Sequence, residues 1–224
     1  LNDEKNNLEL LSHNFKGEGQ FLRIKLNSSI RDINLNLIGK IQLKNVLMAI
    51  IAAKYSSISL DKILNTIPKL KPVEGRFEKI GKIKNQSKVI LDYAHTPDAL
   101  KTCLLNLREQ FPNKTITVLF GCGGNRDQNK RSKMGKIASE YADRIVLTND
   151  NPRFENPQKI RRDIKKGIKR KRIIEISNRA IAIKEAIHNL NSGDILLVAG
   201  KGHEKTQDIG NKKIFFSDRK VILN

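Results

Sequence analysis

The residues best suited to chemistry are crowded into one short segment, Thr-Asn-Asp-Asn-Pro-Arg at positions 148–153. It follows the apolar run 144–147, which predicts a buried strand, and it precedes Asn156 and Pro157, which predict a helix start. An Arg in such a turn can hold a planar carboxylate or phosphate through two parallel hydrogen bonds. The alternative is a structural Asx/Pro turn with a solvated Arg153, and this segment alone does not decide between them.

Three other predicted strands are also followed by polar or glycine-rich segments. These are Asp92 to His95 after strand 88–91, residues 121–127 after strand 115–120, and residues 200–204 after strand 194–199. Ligands of open α/β sheets bind just outside the carboxyl ends of the strands, and glycines there let backbone N–H groups approach an anion. The four segments are therefore predicted to line one cleft.

Each segment also has a purely structural interpretation. Residues 121–124 lack the full G-x-G-x-x-G spacing, and Lys201 stands in Gly-Lys-Gly rather than in a P-loop. No P-loop sequence occurs in the 224 residues. His95 alone fits a structural histidine, and His203 beside Glu204 fits an exposed pair. What favours a binding site is that all four segments follow the carboxyl ends of predicted strands.

The elements that must position these residues follow from the hydrophobic pattern. Before residue 75 it predicts strands 20–26 and 33–38 and helices 41–55 and 60–67, with no clear period over 1–17. From residue 75 strands alternate with helices, which predicts a Rossmann-like, mostly parallel α/β sheet with helices on both faces. The predicted helices of this part are 97–110 (with Thr96 as N-cap), 132–141, 158–170 and 179–190; the further strands are 172–176 and a closing hairpin of 207–209 with 213–216. Two prolines and a glycine in 70–75 mark a boundary between domains 1–74 and 75–224.

The chain is strongly basic, with 43 Lys and Arg against 23 Asp and Glu and a formal charge of +20. Most of this charge is spread along the chain. The exception is the run 161–172, where Ile160, Ile164 and Ile168 would share one helical face, and this favours a solvated face over a nucleic-acid contact. A basic surface also attracts anionic substrates.

Cys103 and Cys122 lack metal-ligand spacing and are predicted to be reduced cytosolic residues. We expect a soluble, cytoplasmic protein, because no apolar stretch approaches the roughly 20 residues of a membrane span and no signal peptide is evident. The start at Leu1 rather than Met indicates a processed, truncated or partial product.

Five motifs occur in an order that closely resembles the Mur ligase family, from about Gly39 to the C-terminus. They are residues 75–78 (Gly-Arg-Phe-Glu), 91–100 (Leu-Asp-Tyr-Ala-His-Thr-Pro-Asp-Ala-Leu), 121–127, 150–153 and 200–204. The resemblance implies three domains in the whole enzyme. Residues 1–74 would be the end of the central ATP-binding domain, and 75–224 the whole Rossmann-like amino-acid-binding domain. The P-loop and the modified lysine of the family would lie upstream.

The resemblance also implies roles for individual residues. Asn45 resembles the adenine contact, while Arg76 and Asp92 resemble contacts to the ribose of ATP and nearby groups. The expected diaminopimelate site comprises Arg126, Asp150, Asn151, Pro152, Arg153, Gly200 and Glu204. In it Arg126 and Arg153 would hold carboxylates, Asn151 would add a hydrogen bond, Glu204 with the Gly200 carbonyl would hold an ammonium group, and Asp150 would shape the turn. His95 is a possible catalytic participant without an assigned role, and no metal ligand is assigned. Gln42, Asn125 and Ser132 depart from the usual family residues.

The resemblance implies ATP- and Mg²⁺-dependent addition of meso-diaminopimelate to UDP-N-acetylmuramoyl-L-alanyl-D-glutamate in peptidoglycan synthesis, with the Mg²⁺ site mainly upstream. Since lysine-adding relatives lack the Arg of the Asp-Asn-Pro-Arg motif, Arg153 favours meso-diaminopimelate. The 224-residue chain alone is expected to be inactive and to need the upstream part of the same ligase. The alternatives are a Mur-type ligase for another amino acid and a basic nucleic-acid-binding domain.

Overall fold

A computed structural model describes residues 8–26, 28–81, 85–169 and 172–224. The chain divides into two compact units, Leu1–Pro72 and Val73–Asn224. The boundary that the sequence predicts, after residue 74, lies in the same connector, where residues 70–77 form no helix or strand. The interpretation of the two units as parts of a larger ligase stays a prediction.

The first unit packs an antiparallel sheet against helices. Its elements are β1 (Leu8–Lys16), β2 (Gly19–Leu26), β3 (Ser29–Leu35), α1 (Lys40–Tyr55), α2 (Leu60–Thr66) and a 3₁₀ turn (Ile67–Lys69). The strands pair in the order β1-β2-β3. Alternate residues of β2, among them Leu22 and Ile24, face the core and pack with Leu43 and Leu47 of α1.

Two expectations for this unit need correction. The sequence predicts no element over residues 1–17, whereas 8–16 form the edge strand β1. Its alternation is obscured because the register shifts between Leu10 and Ser12, which breaks the two-residue period. Residues 1–7 lie outside the described part of the chain. Pro68 follows α2 as predicted, but it stands within the 3₁₀ turn.

The second unit is built on a mostly parallel sheet, which confirms the predicted fold class. Among the described residues its strands are β4 (Glu78–Ile80), β5 (Lys88–Asp92), β6 (Ile116–Phe120), β7 (Arg144–Leu147), β8 (Ile173–Glu175) and β9 (Ile195–Ala199). They lie in the order β4-β5-β9-β6-β7-β8, with β4 antiparallel to β5 and the other pairs parallel. Every residue of β6 and β9 is buried, as expected for central strands covered on both faces.

Helices connect the strands and cover the sheet. They are α3 (Pro97–Gln110), α4 (Asn129–Tyr141), α5 (Pro157–Lys165) and α6 (Arg179–His188), followed by a hairpin of β10 (Thr206–Ile209) with β11 (Lys212–Phe215) and by α7 (Asp218–Leu223). The side chains of Thr96, Asn156 and Asn178 accept hydrogen bonds from the first turns of α3, α5 and α6. These caps fix where each helix begins after its strand, and so they fix the length of the intervening turns.

Three local differences from the sequence prediction affect the second unit. The short elements β4 and α7 were not predicted. Helix α5, predicted over 158–170, ends at Lys165; a Cβ at Gly167 would overlap the carbonyl of Ser132, so the chain turns there against α4. Arg161, placed by the sequence on a solvated face, is buried and bound to Glu175. No helix in the described ranges is long and apolar enough to cross a membrane.

Candidate functional site

The carboxyl ends of four parallel strands enclose a cleft of about 500 Å³. All four segments that the sequence singled out contribute to its lining: Tyr93 and His95; Gly121, Cys122, Gly123, Arg126 and Asp127; Asp150, Asn151 and Arg153; Gly200 and Glu204. Thr96 and Lys130, just beyond two of these segments, complete it. Arg76, Asp92 and Pro152 are not among the lining residues, and Asn45 belongs to the first unit.

The glycines of the 121–127 loop are required by loop packing. A Cβ at Gly121 would overlap the carbonyl of Thr148, and one at Gly124 would overlap that of Pro152. The Gly124 N–H donates to the carbonyl of Asn151 at 2.9 Å. The expectation that these glycines serve anion approach therefore needs qualification, because they first let two loops of the cleft meet backbone to backbone.

Arg153 is held in place by both its backbone and its side chain. Its φ is +51°, its N–H donates to the carbonyl of Asp208 at 3.0 Å, and its carbonyl accepts from Gly210 at 2.7 Å. In the guanidinium, Nη1 donates to the Gly124 carbonyl at 2.9 Å, and Nε lies 4.0 Å from Asp208. The Nη2 group makes no hydrogen bond to a described residue, so it keeps donors for a ligand.

Arg126 contrasts with Arg153 in being exposed and lining the cleft without a hydrogen bond or ion pair to the residues described. Its position depends on Asn125, which has φ +51° and whose side-chain oxygen accepts from the Phe154 N–H at 3.1 Å. Asn tolerates this left-handed conformation better than most residues. The family departure at Asn125 is therefore compatible with the loop.

Lys201 is fully buried and forms the centre of a hydrogen-bonded network at the cleft. Its Nζ donates to Glu204 Oε2 at 2.8 Å and to Asn151 Oδ1 at 2.9 Å. The amide of Asn151 donates to the same Glu204 oxygen at 3.1 Å, and its Oδ1 also accepts from the Asp208 N–H at 3.1 Å. Asn151 therefore forms most of its possible hydrogen bonds within the protein, and one amide hydrogen remains for the predicted ligand contact.

The two aspartates of the predicted site hold turns together. Asp150 Oδ1 accepts from the Asn151 N–H at 2.7 Å, which suits its expected role in shaping the turn. Asp92 accepts from the N–H groups of Phe77 and Ala94, both at 2.7 Å. Burial raises the pKa of Asp92 above its ordinary value, against the opposing effect of these two hydrogen bonds.

Tyr93 gathers an aromatic and cationic cluster at one side of the cleft. Its ring centroid lies 4.7 Å from the Arg76 guanidinium, 4.5 Å from the His95 ring and 5.2 Å from the His203 ring. The Nδ1 atom of His95 is bonded to the Tyr93 carbonyl at 2.8 Å, so Nε2 is the ring nitrogen left for other contacts. Motif 75–78 also packs against motif 200–204: a Cβ at Gly75 would overlap the backbone nitrogen of His203.

Two arginines that no sequence pattern singled out support these loops, and we call Arg131 and Arg179 the framework arginines. Both are fully buried. Arg131 binds Glu155 at 2.8 Å and Asp163 at 3.3 Å. Arg179 binds Asp218 through two contacts of 2.7 Å and donates to the Ala199 carbonyl at 3.0 Å. Their partners are distant in sequence, so no local pattern could have identified them.

Neither cysteine is suited to nucleophilic chemistry. Both are buried, and burial raises the pKa of the Cys122 thiol to about 12. The described residues contain no group of three or more His, Cys, Asp or Glu that could hold a metal ion.

The fold and the cleft define a ligand-binding α/β domain whose site lies at the carboxyl edge of a mostly parallel sheet. The family model for the Mur ligase, glutamate ligase domain matches residues 75–202. The chain belongs to the Mur ligase family, as its five motifs indicated.

Several curated relatives of this chain carry the name UDP-N-acetylmuramoyl-L-alanyl-D-glutamate–2,6-diaminopimelate ligase. The Rickettsia rickettsii protein is 42% identical over 219 residues, covering 97% of this chain and 45% of the relative. The protein of Buchnera aphidicola subsp. Schizaphis graminum is 45% identical over 188 residues, covering 84% and 37%. A solved structure of an enzyme with that name has a TM-score of 0.73 and 33% identity, covering 98% and 46%. The chain thus spans about half the length of these relatives.

Proposed function

We propose that this chain is the amino-acid-binding part of a ligase that adds meso-diaminopimelate to UDP-N-acetylmuramoyl-L-alanyl-D-glutamate in peptidoglycan synthesis. The observation that carries the proposal is the charge arrangement of the cleft, where Arg126 and Arg153 face the same space as Glu204. A diamino dicarboxylate presents two carboxylates, which the two arginines complement, and an ammonium group, which Glu204 complements. The enzyme name of the relatives supports the same assignment.

In this proposal each charged side chain of the cleft holds one group of the ligand. Arg153 holds the distal carboxylate through its free Nη2, and Arg126 holds the other carboxylate. Glu204 holds an ammonium group with the Gly200 carbonyl, because its Oε1 receives no hydrogen bond from the described part of the protein. Asn151 adds one donor, while Asp150 and Pro152 fix the turn.

Mur ligases are ATP-dependent, and we assign Asn45, Arg76 and Asp92 to the nucleotide. Asn45 is exposed, and Arg76 is exposed beside the Tyr93 ring. The Asp92 carboxylate accepts two backbone hydrogen bonds and one from the Cys103 thiol, so one acceptor position remains for a ribose hydroxyl. The Mg²⁺ of the reaction would be bound mainly in the upstream part of the enzyme.

The family reaction transfers the terminal phosphoryl group of ATP to the glutamate carboxylate of the UDP-linked substrate. The amine of diaminopimelate then attacks the acyl carbon, phosphate leaves, and the nitrogen loses a proton as the amide forms. The share of this chain is positional: it binds the zwitterion and presents its amine, which lowers the entropic part of the barrier. We give His95 no step, since nothing in the cleft fixes its role.

A Mur-type ligase for another amino acid is the first rival. Against it, a cleft that bound a ligand with one carboxylate would leave one of its two arginines unpaired.

Nucleic-acid binding is the second rival. In the basic segment Arg161 is buried against Glu175, Lys165 pairs with Glu175, and Lys166 pairs with Asp163, so part of that charge is already neutralised. A gel shift with random RNA whose affinity fell steeply with salt would favour this rival.

The proposal is tested by ligation. We expect no phosphate release from the 224-residue chain with ATP, UDP-linked dipeptide and meso-diaminopimelate, because the sequence contains no P-loop. Fused to the upstream part of the Rickettsia rickettsii relative, the chain should release phosphate only when the dipeptide substrate and the amino acid are present. Robust turnover by the chain alone, or a folded fusion that ligates a different amino acid, would contradict the proposal.

A further inference from the structure

Lys201 is the buried charged group at the cleft that the proposed function leaves without a role. We propose that Lys201 is a positioning residue that anchors one oxygen of Glu204 and so holds the other oxygen ready for an ammonium group of the ligand. The inference rests on the proposed function, since it assumes that Glu204 binds the ammonium.

The backbone turns Lys201 inward. Its neighbours Gly200 and Gly202 have φ of +115° and +50°, in the region that favours glycine. A Cβ at Gly202 would lie 2.8 Å from both the Gly75 carbonyl and the Tyr93 Cβ, so this turn is closely packed. The side chain between these glycines is consequently fully buried.

A buried ammonium is costly unless it is paired, and both partners of Lys201 belong to the cleft. Its contacts of 2.8 Å to Glu204 Oε2 and 2.9 Å to Asn151 Oδ1 form a closed triangle with the 3.1 Å bond from Asn151 to the same Glu204 oxygen. Two donors therefore hold Oε2 while the Glu204 side chain is 31% exposed. The structure thus fixes one oxygen and leaves the other accessible.

The electrostatic reason for such an anchor is the presence of Arg126 and Arg153 in the same cleft. Without an anchor, these cations would attract Glu204 into a direct pair, and that pair would have to break before a zwitterion could bind. Lys201 anchors Glu204 through a 2.8 Å contact, and the 2.9 Å bond to the Gly124 carbonyl anchors Arg153. Opposite charges kept apart in advance are a preorganised site for a zwitterion.

The test is a titration of the 224-residue chain with two ligands of equal length. One is meso-diaminopimelate, and the matched control is heptanedioate, which has both carboxylates and no amine. Wild type, Lys201→Met, Glu204→Gln and the double variant are compared, with urea unfolding of each. Lys201→Gln, which keeps a donor without the charge, provides the same comparison if Lys201→Met does not fold.

We expect Lys201→Met to weaken meso-diaminopimelate binding by about tenfold or more and heptanedioate binding by less than about twofold. In the Glu204→Gln background the same substitution should change the affinity for meso-diaminopimelate by less than about twofold, because residues that act through one contact are not additive. Lys201→Gln should fall between wild type and Lys201→Met.

Equal losses for both ligands, or additive losses in the double variant, would overturn the inference and would show that Lys201 only supports the fold. The proposed function would then stand, because wild-type binding of meso-diaminopimelate is measured in the same series. A folded wild-type chain that does not bind meso-diaminopimelate would overturn both.

Discussion

The arginines around the cleft differ sharply in what surrounds them. The framework arginines Arg131 and Arg179 are fully buried, and each binds carboxylates of the protein. The cleft arginines Arg126 and Arg153 line the open space, and neither has a carboxylate within 3.5 Å among the described residues. Arginine side chains therefore neutralise buried carboxylates in one region of the molecule and keep donors for a ligand in the other.

The framework arginines also hold the chain segments next to the cleft loops. Arg131 binds Glu155, and Glu155 accepts from the backbone of Asn125 at 2.5 Å, directly before Arg126. Arg179 joins α7, through Asp218, to the end of β9, through the Ala199 carbonyl. Replacing a framework arginine should therefore reduce stability, while replacing a cleft arginine should reduce ligand binding.

Arg179→Met should have the largest effect on folding. It leaves Asp218 buried without its partner, and removing one member of a buried ion pair costs about 3–5 kcal/mol. The double variant Arg179→Met/Asp218→Leu should recover most of that loss, because it removes both charges. Urea unfolding measures both. A loss below about 1 kcal/mol in the single variant would show that this pair does not hold the framework.

Arg131→Met and Arg126→Met form a matched pair on one segment of chain. Glu155 and Asp163 retain 15% and 18% of their side-chain exposure, so water can partly replace Arg131, and we expect a loss of about 1–3 kcal/mol. Arg126→Met should change the free energy of unfolding by less than about 0.5 kcal/mol. Similar losses for the two variants would remove the distinction between framework and cleft arginines.

The smallest expected effect is a pH dependence of stability. Burial by itself raises the pKa of Glu155, but hydrogen bonds from the Asn125 N–H and Arg131 outweigh it and hold that pKa below its ordinary value. A hydrogen bond from Lys166 likewise lowers the pKa of Asp163. A depressed folded-state pKa contributes stability above the unfolded value, about 4–4.5, and that contribution is lost as pH falls through the folded value.

Thermal unfolding between about pH 6 and pH 3 should show this loss in the wild type and a shallower decline in Glu155→Gln. The control is the same scan of Glu140→Gln, whose carboxylate is exposed. Identical slopes for wild type and Glu155→Gln would mean that the Glu155–Arg131 pair carries no pH dependence.

The two segments that carry the cleft arginines could be predicted from sequence because their signal is local, whereas the role of Arg126 followed only from the resemblance to Mur ligases. Arg153 stands in a turn directly after an apolar strand, and Arg126 stands in a glycine-rich loop after another. The order of strand and helix gave the fold class for the same reason, since hydrophobic periodicity reports burial along a short stretch.

The framework could not be predicted in this way. Arg179 and Asp218 are 39 residues apart, and Arg131 and Glu155 are 24 apart, so their pairing depends on the folded sheet. From the sequence, Lys201 could only be excluded as a P-loop lysine. Its burial could not be predicted, because it arises where motif 200–204 packs against motif 75–78. The three-residue strand β4 and the six-residue helix α7 are too short to show a period.

The central claim, that Arg153 selects meso-diaminopimelate by its distal carboxylate, is tested most directly by titrating wild type and Arg153→Ala with meso-diaminopimelate and with L-lysine. L-lysine lacks that carboxylate. A charged hydrogen bond of this kind contributes about 1.5–3 kcal/mol, so Arg153→Ala should weaken meso-diaminopimelate binding by about ten- to more than a hundredfold and weak L-lysine binding far less. Equal losses for the two amino acids would contradict the account and would mean that Arg153 maintains the loop without recognising the carboxylate.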